Sequence, residues 1–292
     1  MKKLPFWADD YRCYSHALAE KVLGNQKATD TISAVLASQA LRDKIKNPPQ
    51  AARILIVGKP SSGKTYLVEQ ASWLLQLPTA YGNAALLSGP GYKGADASNV
   101  LKALIEDAGL GGKTRAEASS IIVLDEICKI VRRRDQEYAQ TIQYSLLPIL
   151  NSETVLIEGS GYDEPSIHFS TKNTLVFCMG VFPDTKPSDW SDAEKSRNTL
   201  VKSGFTEEFA SRFTHFIYLN PITKEHLKKL VVSEGDSLSQ LYQTGAEQPR
   251  LTSSEVNRVV TKVAGSRFGF RTARAEIHSL LAKKADTDMR QF

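Results

Sequence analysis

The stretch RILIVGKPSSGKTYLVEQ (53–70) decides the fold of this chain. Its aliphatic run at 54–57 predicts a buried strand, and the apolar residues after position 64 repeat on one face of a helix. Between them, GKPSSGKT (58–65) fits the pattern G-x-x-x-x-G-K-[ST] in full. A strand, a glycine-rich turn and a helix in this order predict a phosphate-binding loop.

The residue types of this loop suit the phosphates of a nucleotide. Gly58 and Gly63 let the backbone curl, so that N–H groups point at the phosphates near the positive end of the following helix. Lys64 can reach the β- and γ-phosphates, and the Thr65 hydroxyl can bind Mg²⁺. The predicted cofactor-binding residues of the loop are Gly58, Pro60, Ser61, Ser62, Gly63, Lys64 and Thr65.

A second motif, IIVLDE (121–126), ends a buried strand with two carboxylates. Asp125 is predicted to hold magnesium together with Thr65, and Glu126 to act as the base that activates water against the γ-phosphate. A small-molecule kinase also has a phosphate-binding loop and an acidic residue, but it has little use for a water-polarising glutamate. The two motifs predict hydrolysis of ATP or GTP and favour adenine only weakly.

Strand and helix patterns alternate over about the first 215 residues, which predicts an α/β fold with a parallel sheet. Strands are expected at 53–58, 121–127 and 173–180, and the polar stretch 183–198 is expected to separate elements. Helical patterns dominate the rest of the chain, which indicates a small, mainly helical lid domain. The predicted organisation is an extension at 1–14, a large ATPase domain at 15–218 and the lid at 219–292.

Composition excludes several other classes of protein. No aliphatic run is long enough to span a bilayer, and the amino-terminal residues do not form a signal core, so a cytoplasmic protein without a membrane partner is expected. The three cysteines are widely spaced and predict neither a disulfide framework nor a zinc site. The net charge is +5, and residues 220–292 hold 12 basic and 8 acidic residues, a bias that supports nucleic-acid binding only weakly.

From these motifs the sequence resembles the AAA+ ATPases, and within them the ClpX/HslU branch, over about residues 15–285. DEICKI (125–130) is close to the ClpX form DEIDKI. VLGNQKA (22–28) is similar to the family's adenine-contacting segment, which implies that Val22, Leu23 and Gly24 line the base of ATP.

The resemblance also implies roles for two arginines. GFTEEFASRF (204–213) is similar to the ClpX stretch that ends in the arginine finger, which implies that Arg212 reaches the γ-phosphate of a neighbouring subunit. GSRFGFRTARAEI (265–277) is similar to the segment that carries the sensor-2 arginine, which matches Arg271. Arg267 and Arg274 are the alternatives if the register is shifted.

The loop SGPGYKGADAS (88–98) lies where ClpX carries Gly-Tyr-Val-Gly, the first pore loop. GYKG matches three of these four positions, which implies that Tyr92 contacts a translocating chain. A tyrosine can contact many side chains because it combines an apolar ring with a polar tip. Lys93 is a departure, and it would place a ring of cations in the pore. A surface turn remains the alternative interpretation of the loop.

Four further departures separate this sequence from ClpX. The strand that ends VFCMGVF (176–182) has no clear polar residue to serve as sensor 1. The chain starts almost at the ATPase module, so the zinc-binding domain of ClpX is not expected in this protein. Residues 181–204 are too short for the ClpP-docking insertion and contain no Ile-Gly-Phe, which makes pairing with ClpP doubtful. The segment RRRDQEY (132–138), at the expected second pore loop, is short and basic.

Three functions follow as hypotheses. The first is a ring of identical subunits, expected to be a hexamer, that hydrolyses ATP with Mg²⁺ and remodels or unfolds protein substrates through a central pore. The second is a nucleic-acid motor or loader built on the same ATPase, which the arginines at 132–134 favour slightly. The third is an ATP-dependent switch or scaffold that assembles a partner without threading it.

Overall fold

A computed structural model describes residues 11–88, 97–133, 135–159, 165–243, 248–264 and 270–289. The chain divides into two compact units. The first comprises Met1–Gly58 and Lys64–Leu219, and the second comprises Asn220–Phe292 and the short segment Lys59–Gly63. The domain limits drawn from the sequence stay a prediction.

The first unit is built around a parallel five-stranded sheet, which confirms the predicted α/β class. Its strands stand in the spatial order β2-β3-β6-β1-β7. They are β1 (Arg53–Gly58), β2 (Thr79–Asn83), β3 (Ser120–Asp125), β6 (Thr174–Gly180) and β7 (His215–Leu219). A separate antiparallel pair consists of β4 (Thr154–Ile157) and β5 (Ile167–Ser170).

Helices cover both faces of the sheet, which explains the continuous aliphatic runs of its central strands. Alternate residues of β1 point to opposite cores: Leu55 and Val57 belong to one buried cluster, and Ile54 and Ile56 to the other. The helices of this unit are α1 (Tyr11–Lys21), α2 (Gln26–Ala40), α3 (Lys64–Leu75), α4 (Ala97–Asp107), α5 (Gly112–Ala118), α6 (Gln136–Leu150), α7 (Ala193–Lys202) and α8 (Glu207–Ser211).

The amino-terminal helix is part of the body of this unit. α1 begins at Tyr11, inside the stretch that the sequence suggests as an extension, and Tyr14 and Leu18 are fully buried against α2 and α3. The core therefore begins before residue 15.

The stretch 183–198 does more than separate elements, and the expectation of a polar connection there is wrong. Residues Pro187–Trp190 form a 3-10 helix, and α7 follows with Asp192 as its N-cap. The Trp190 ring is buried, and its centroid lies 5.2 Å from that of Phe182. The buried ring of Trp190 packs this otherwise polar segment onto the core.

The second unit contains α9 (Lys224–Ser239), α10 (Ser253–Ala264) and α11 (Phe270–Met289), which confirms a helical carboxyl-terminal part. These helices share a buried cluster of mostly valine and leucine side chains. Several cations on their surface are paired: Lys262 with Glu276 at 2.6 Å, and Lys284 with Glu255 at 2.9 Å. Within the described residues, no helix is long and apolar enough to cross a membrane.

Arg53, the first residue of β1, is fully buried. Its guanidinium donates to the carbonyl oxygens of Ile149 and Leu150 at the end of α6, to that of Thr171 before β6, and to that of Thr174, the first residue of β6. Burial lowers its pKa to about 10, so the side chain is still protonated at neutral pH. This one cation satisfies carbonyl groups at the end of a helix that have no helical partner.

We expect Arg53→Met to lower the free energy of unfolding by about 3 kcal/mol or more. Methionine keeps the apolar stem but leaves several buried carbonyl groups without a donor. Urea unfolding followed by circular dichroism measures the change. Arg132→Met is the matched control because Arg132 is exposed and makes one hydrogen bond, to the carbonyl of Val181. An equal, small effect of both substitutions would contradict a structural role for Arg53.

Candidate active site

The phosphate-binding loop joins β1 to α3 through Lys59–Gly63. Gly63 has a φ of +89°, in the left-handed region that favours glycine, and Ser61 has a φ of +61°. The backbone N–H of Ser62 donates to the carbonyl of Lys59 at 3.2 Å. The Ser62 side chain is buried, and its hydroxyl has no hydrogen-bond partner among the described residues. A curled loop with an unpaired buried hydroxyl before a helix fits an anion that offers several acceptor oxygens.

Lys64 is the first residue of α3, and its ammonium group faces back toward β1. Nζ donates to the carbonyl of Gly58 at 3.0 Å. Burial lowers the pKa of Lys64, and the negative charge of Asp125 opposes this shift. Asp125 is therefore one of the negative charges that act on the Lys64 ammonium group. Thr65 follows in the first turn of the helix and is exposed, so its hydroxyl is open to a metal ion.

The strand order explains how the two motifs meet. β1 and β3 both pair with β6 in parallel, so their carboxyl ends lie at the same edge of the sheet with one strand between them. With adjacent strands about 4.8 Å apart, the two ends are about 10 Å from each other. That gap suits a phosphate group and its metal ion between the end of β1 and Asp125.

Glu126 has a φ of +57°, unusual for a residue with a side chain. Asp125 helps to hold this geometry, because its Oδ1 accepts the N–H of Glu126 at 2.7 Å. The 3-10 helix Ile127–Lys129 follows, and its first two side chains are buried. The chain is thus fixed on both sides of a strained, half-buried carboxylate, a combination that occurs at functional sites.

The end of β6 lies between the two motifs, where a sensor-1 residue would stand. The residues there are Gly180, Val181 and Phe182. A Cβ at Gly180 would lie 2.7 Å from the Phe182 ring, so this packing requires glycine. The N–H of Val181 donates to Sγ of Cys128 at 3.3 Å. These three described positions are apolar, and none of them supplies a sensor-1 side chain.

The proposed adenine segment forms the turn between α1 and α2. Gly24 has a φ of +79° and is exposed, and Leu23 is half-buried. Val22 is buried in the same cluster as Leu67 and Val68 of α3. Val22 thus packs with the helix that follows the phosphate loop. The contact of Val22, Leu23 and Gly24 with a base stays a prediction.

Arg212 follows α8 directly, and two aromatic residues anchor it. Phe209 and Phe213 are fully buried and stack edge to face with centroids 5.6 Å apart. The Arg212 side chain is 36% exposed, and its Nη2 donates to Oε1 of Glu208 at 3.1 Å. Its Nε makes no hydrogen bond among the described residues. The side chain is thus held at the surface of the unit with donor capacity left.

Sequence reasoning missed Gln143, which positions this helix. Gln143 is fully buried in α6, and its Oε1 accepts the N–H of Thr206, the N-cap of α8, at 2.8 Å. A glutamine on the apolar face of a predicted helix was the signal that could have found it, because a buried amide needs a partner.

Arg271 lies in the first turn of α11 and is exposed. Arg274, one of its alternatives, forms an ion pair with Glu234. The other alternative, Arg267, lies outside the described residues, as do Tyr92 and Lys93.

The sheet order, the loop after β1 and the carboxylates after β3 define a P-loop nucleotide-binding protein. A model of the AAA domain (Cdc48 subfamily) matches residues 50–216. The chain belongs to this family and is a ClpX-like AAA+ ATPase.

Comparison with curated proteins supports this placement. The chain is 25% identical to the ATP-dependent Clp protease ATP-binding subunit ClpX of Treponema denticola, over 91% of this chain and 73% of that protein. It is 23% identical to ClpX of Azotobacter vinelandii, over 92% and 72% of the two chains. It is 27% identical to ClpX 2 of Wolinella succinogenes, over 77% of this chain and 63% of that protein.

Proposed function

We propose that the chain hydrolyses ATP at the edge of the sheet where β1 and β3 end. The observation that carries the proposal is that the ends of β1 and β3 flank β6 at one edge of the sheet, with the strained Glu126 directly after Asp125. Magnesium, held by Thr65 and Asp125, would neutralise phosphate charge. Lys64 binds the β- and γ-phosphates with its ammonium group, and loop N–H groups orient them. Glu126 takes the proton of the attacking water.

Ring formation is the second part of the proposal. An arginine finger acts on the site of a neighbour, so Arg212 requires an assembly of identical subunits, for which six is the expected number. Arg271 is assigned to the γ-phosphate bound by its own subunit. Two cations on the phosphate from different subunits would couple hydrolysis to the assembly. Sedimentation velocity with and without ATP measures this assembly directly.

We assign to the ring the remodelling or unfolding of protein substrates, in the cytoplasm. The support is the similarity to proteins named ClpX and the GYKG stretch, with Tyr92 and Lys93 as the residues that contact the substrate. Pairing with ClpP is not part of the proposal. Residues 181–204 lack Ile-Gly-Phe, and this segment folds onto the body through Trp190.

Tyr92→Ala is expected to abolish remodelling, because it removes the ring that contacts the substrate, while hydrolysis measured without polypeptide continues. Unfolding of a stable fluorescent protein and phosphate release are the two measurements. Tyr81→Ala is the matched control, since Tyr81 is an exposed tyrosine on the edge strand β2. Unchanged remodelling by Tyr92→Ala would make the loop a surface turn, whereas no remodelling by the native protein would favour a switch or scaffold.

The nucleic-acid alternative loses support from the structure. Arg133 donates to backbone carbonyl groups within its own unit, and Lys262, Lys284 and Arg274 are paired with carboxylates. A solvated basic face would instead leave such cations open to phosphates. Binding to single- and double-stranded DNA and RNA at low salt, with a steep loss on added salt, would restore the alternative.

A further inference from the structure

Arg133 lies beyond the 3-10 helix that follows Glu126, and it contacts a segment far away in sequence. Its Nη2 donates to the carbonyl oxygens of Ala85 at 2.9 Å and Leu87 at 2.8 Å. Its guanidinium also lies 5.1 Å from the centroid of the Tyr138 ring. The side chain is half-buried, so these charge-assisted bonds are partly shielded from water.

The segment that Arg133 contacts is Ala84–Ser88, which leads from β2 into the proposed pore loop. It contains the short 3-10 helix Ala84–Leu86, which Asn83 caps by accepting the N–H of Ala85. Ala84, Leu87 and Ser88 are buried. Buried side chains therefore hold this segment as far as Ser88.

Two routes connect this segment to the catalytic residues. The first is the sheet, where Asn83 at the end of β2 pairs with Asp125 at the end of β3. The second is Arg133, which joins the two chains again after each has left the sheet. The strand pairing and the Arg133 hydrogen bonds therefore connect the two chain segments at two points. Glu126 lies between these points on one segment, and Ala84–Ser88 lies on the other.

We propose that Arg133 is a positioning residue that transmits changes at Glu126 to the segment Ala84–Ser88. This second connection favours a positioning role for Arg133 over a role in stability, because buried side chains already anchor the segment. A guanidinium that binds two carbonyl groups fixes both the distance and the orientation of their backbone. The consequence for a polypeptide substrate rests on the proposed remodelling function, whereas the movement of Ala84–Ser88 does not.

The first test measures hydrogen–deuterium exchange of peptides that cover 84–88, in the full chain with and without a non-hydrolysable ATP analogue. The native protein is expected to show a nucleotide-dependent change in exchange, and Arg133→Met is expected to lose it. Arg132→Met is the control, as an exposed neighbour that contacts the carbonyl of Val181. A nucleotide-dependent change that persists in Arg133→Met would overturn the proposal, as would its absence from the native protein.

The second test measures ATP hydrolysis with and without a permanently unfolded polypeptide, reduced and carboxymethylated serum albumin. Arg133→Met is expected to retain basal hydrolysis and lose about tenfold or more of the stimulation, as expected when charge-assisted hydrogen bonds are lost. Arg133→Lys keeps one donor group and should recover part of the stimulation. It should also recover part of the nucleotide-dependent change in exchange. It replaces Arg133→Met as the test variant if the methionine variant does not fold. Failure of lysine to recover either would overturn the positioning role. If the native protein shows no stimulation, the remodelling function fails while the exchange result still decides the role of Arg133.

Discussion

Replacing Glu126 by glutamine is expected to slow ATP hydrolysis by about 100- to 10,000-fold, the range that a positioned general base contributes. Glutamine has nearly the same shape as glutamate, but its amide does not accept a proton from water. Asp125 accepts the backbone N–H of residue 126, and that bond does not depend on the side chain at 126. The left-handed backbone and the binding of ATP should therefore survive the substitution.

Phosphate release and equilibrium binding of a fluorescent ATP analogue separate these two effects. Lys64→Ala is the comparison variant, because it removes the ammonium group assigned to the phosphates and should weaken binding itself. Glu106→Gln, at an exposed position of α4, is the matched control for the chemistry of the substitution. Full hydrolysis by Glu126→Gln would remove this residue from the proposed mechanism, and loss of ATP binding would make its role structural.

The fold could be predicted as far as its signals were local. The central strands β1, β3 and β6 were predicted correctly because both of their faces are buried. Strands of this kind have continuous aliphatic runs in the sequence. The edge strands β2 and β7 were missed. Only Ala80 is buried in β2, and β7 alternates irregularly between half-buried and buried positions. β2 carries no run or alternation that distinguishes it from a loop, whereas β7 contains the apolar run FIYL (216–219), a strand signal that was overlooked.

The candidate site shows the same division. Lys64 and Asp125 belong to motifs with fixed spacing, so the sequence named them, and the strands β1 and β3 that lead to these motifs end at the same edge of the sheet. Gln143 and Arg133 belong to no motif. Their partners, Thr206 and Ala85, are distant in sequence, and only the folded chain shows that these contacts exist. Residues that position the site are harder to predict from sequence than catalytic residues, because no characteristic spacing marks them and their partners are distant in sequence.

Arg212→Ala is expected to slow hydrolysis by about a thousandfold or more, the contribution of an arginine finger, and mixing tests whether it acts between subunits. Arg212→Ala keeps Glu126, and Glu126→Gln keeps Arg212, so each variant supplies the group that the other lacks. In randomly mixed rings about a quarter of the interfaces would hold one intact site. Phosphate release by an equimolar mixture should therefore exceed that of either variant by a large factor. If the subunits are shown to mix but phosphate release does not recover, Arg212 does not act on the site of a neighbouring subunit.

Glu208→Ala supplies the control that this interpretation needs. The Glu208–Arg212 pair lies at the surface and at helical spacing, so its loss should cost little stability. If Arg212→Ala acted only by breaking this pair, Glu208→Ala would have the same effect on hydrolysis. We expect instead that Glu208→Ala retains hydrolysis, because it leaves the guanidinium in place and removes an anion that competes with the γ-phosphate for it. Both substitutions break the same ion pair, but only Arg212→Ala is expected to slow hydrolysis. This difference would assign the loss of hydrolysis to the guanidinium of Arg212 itself.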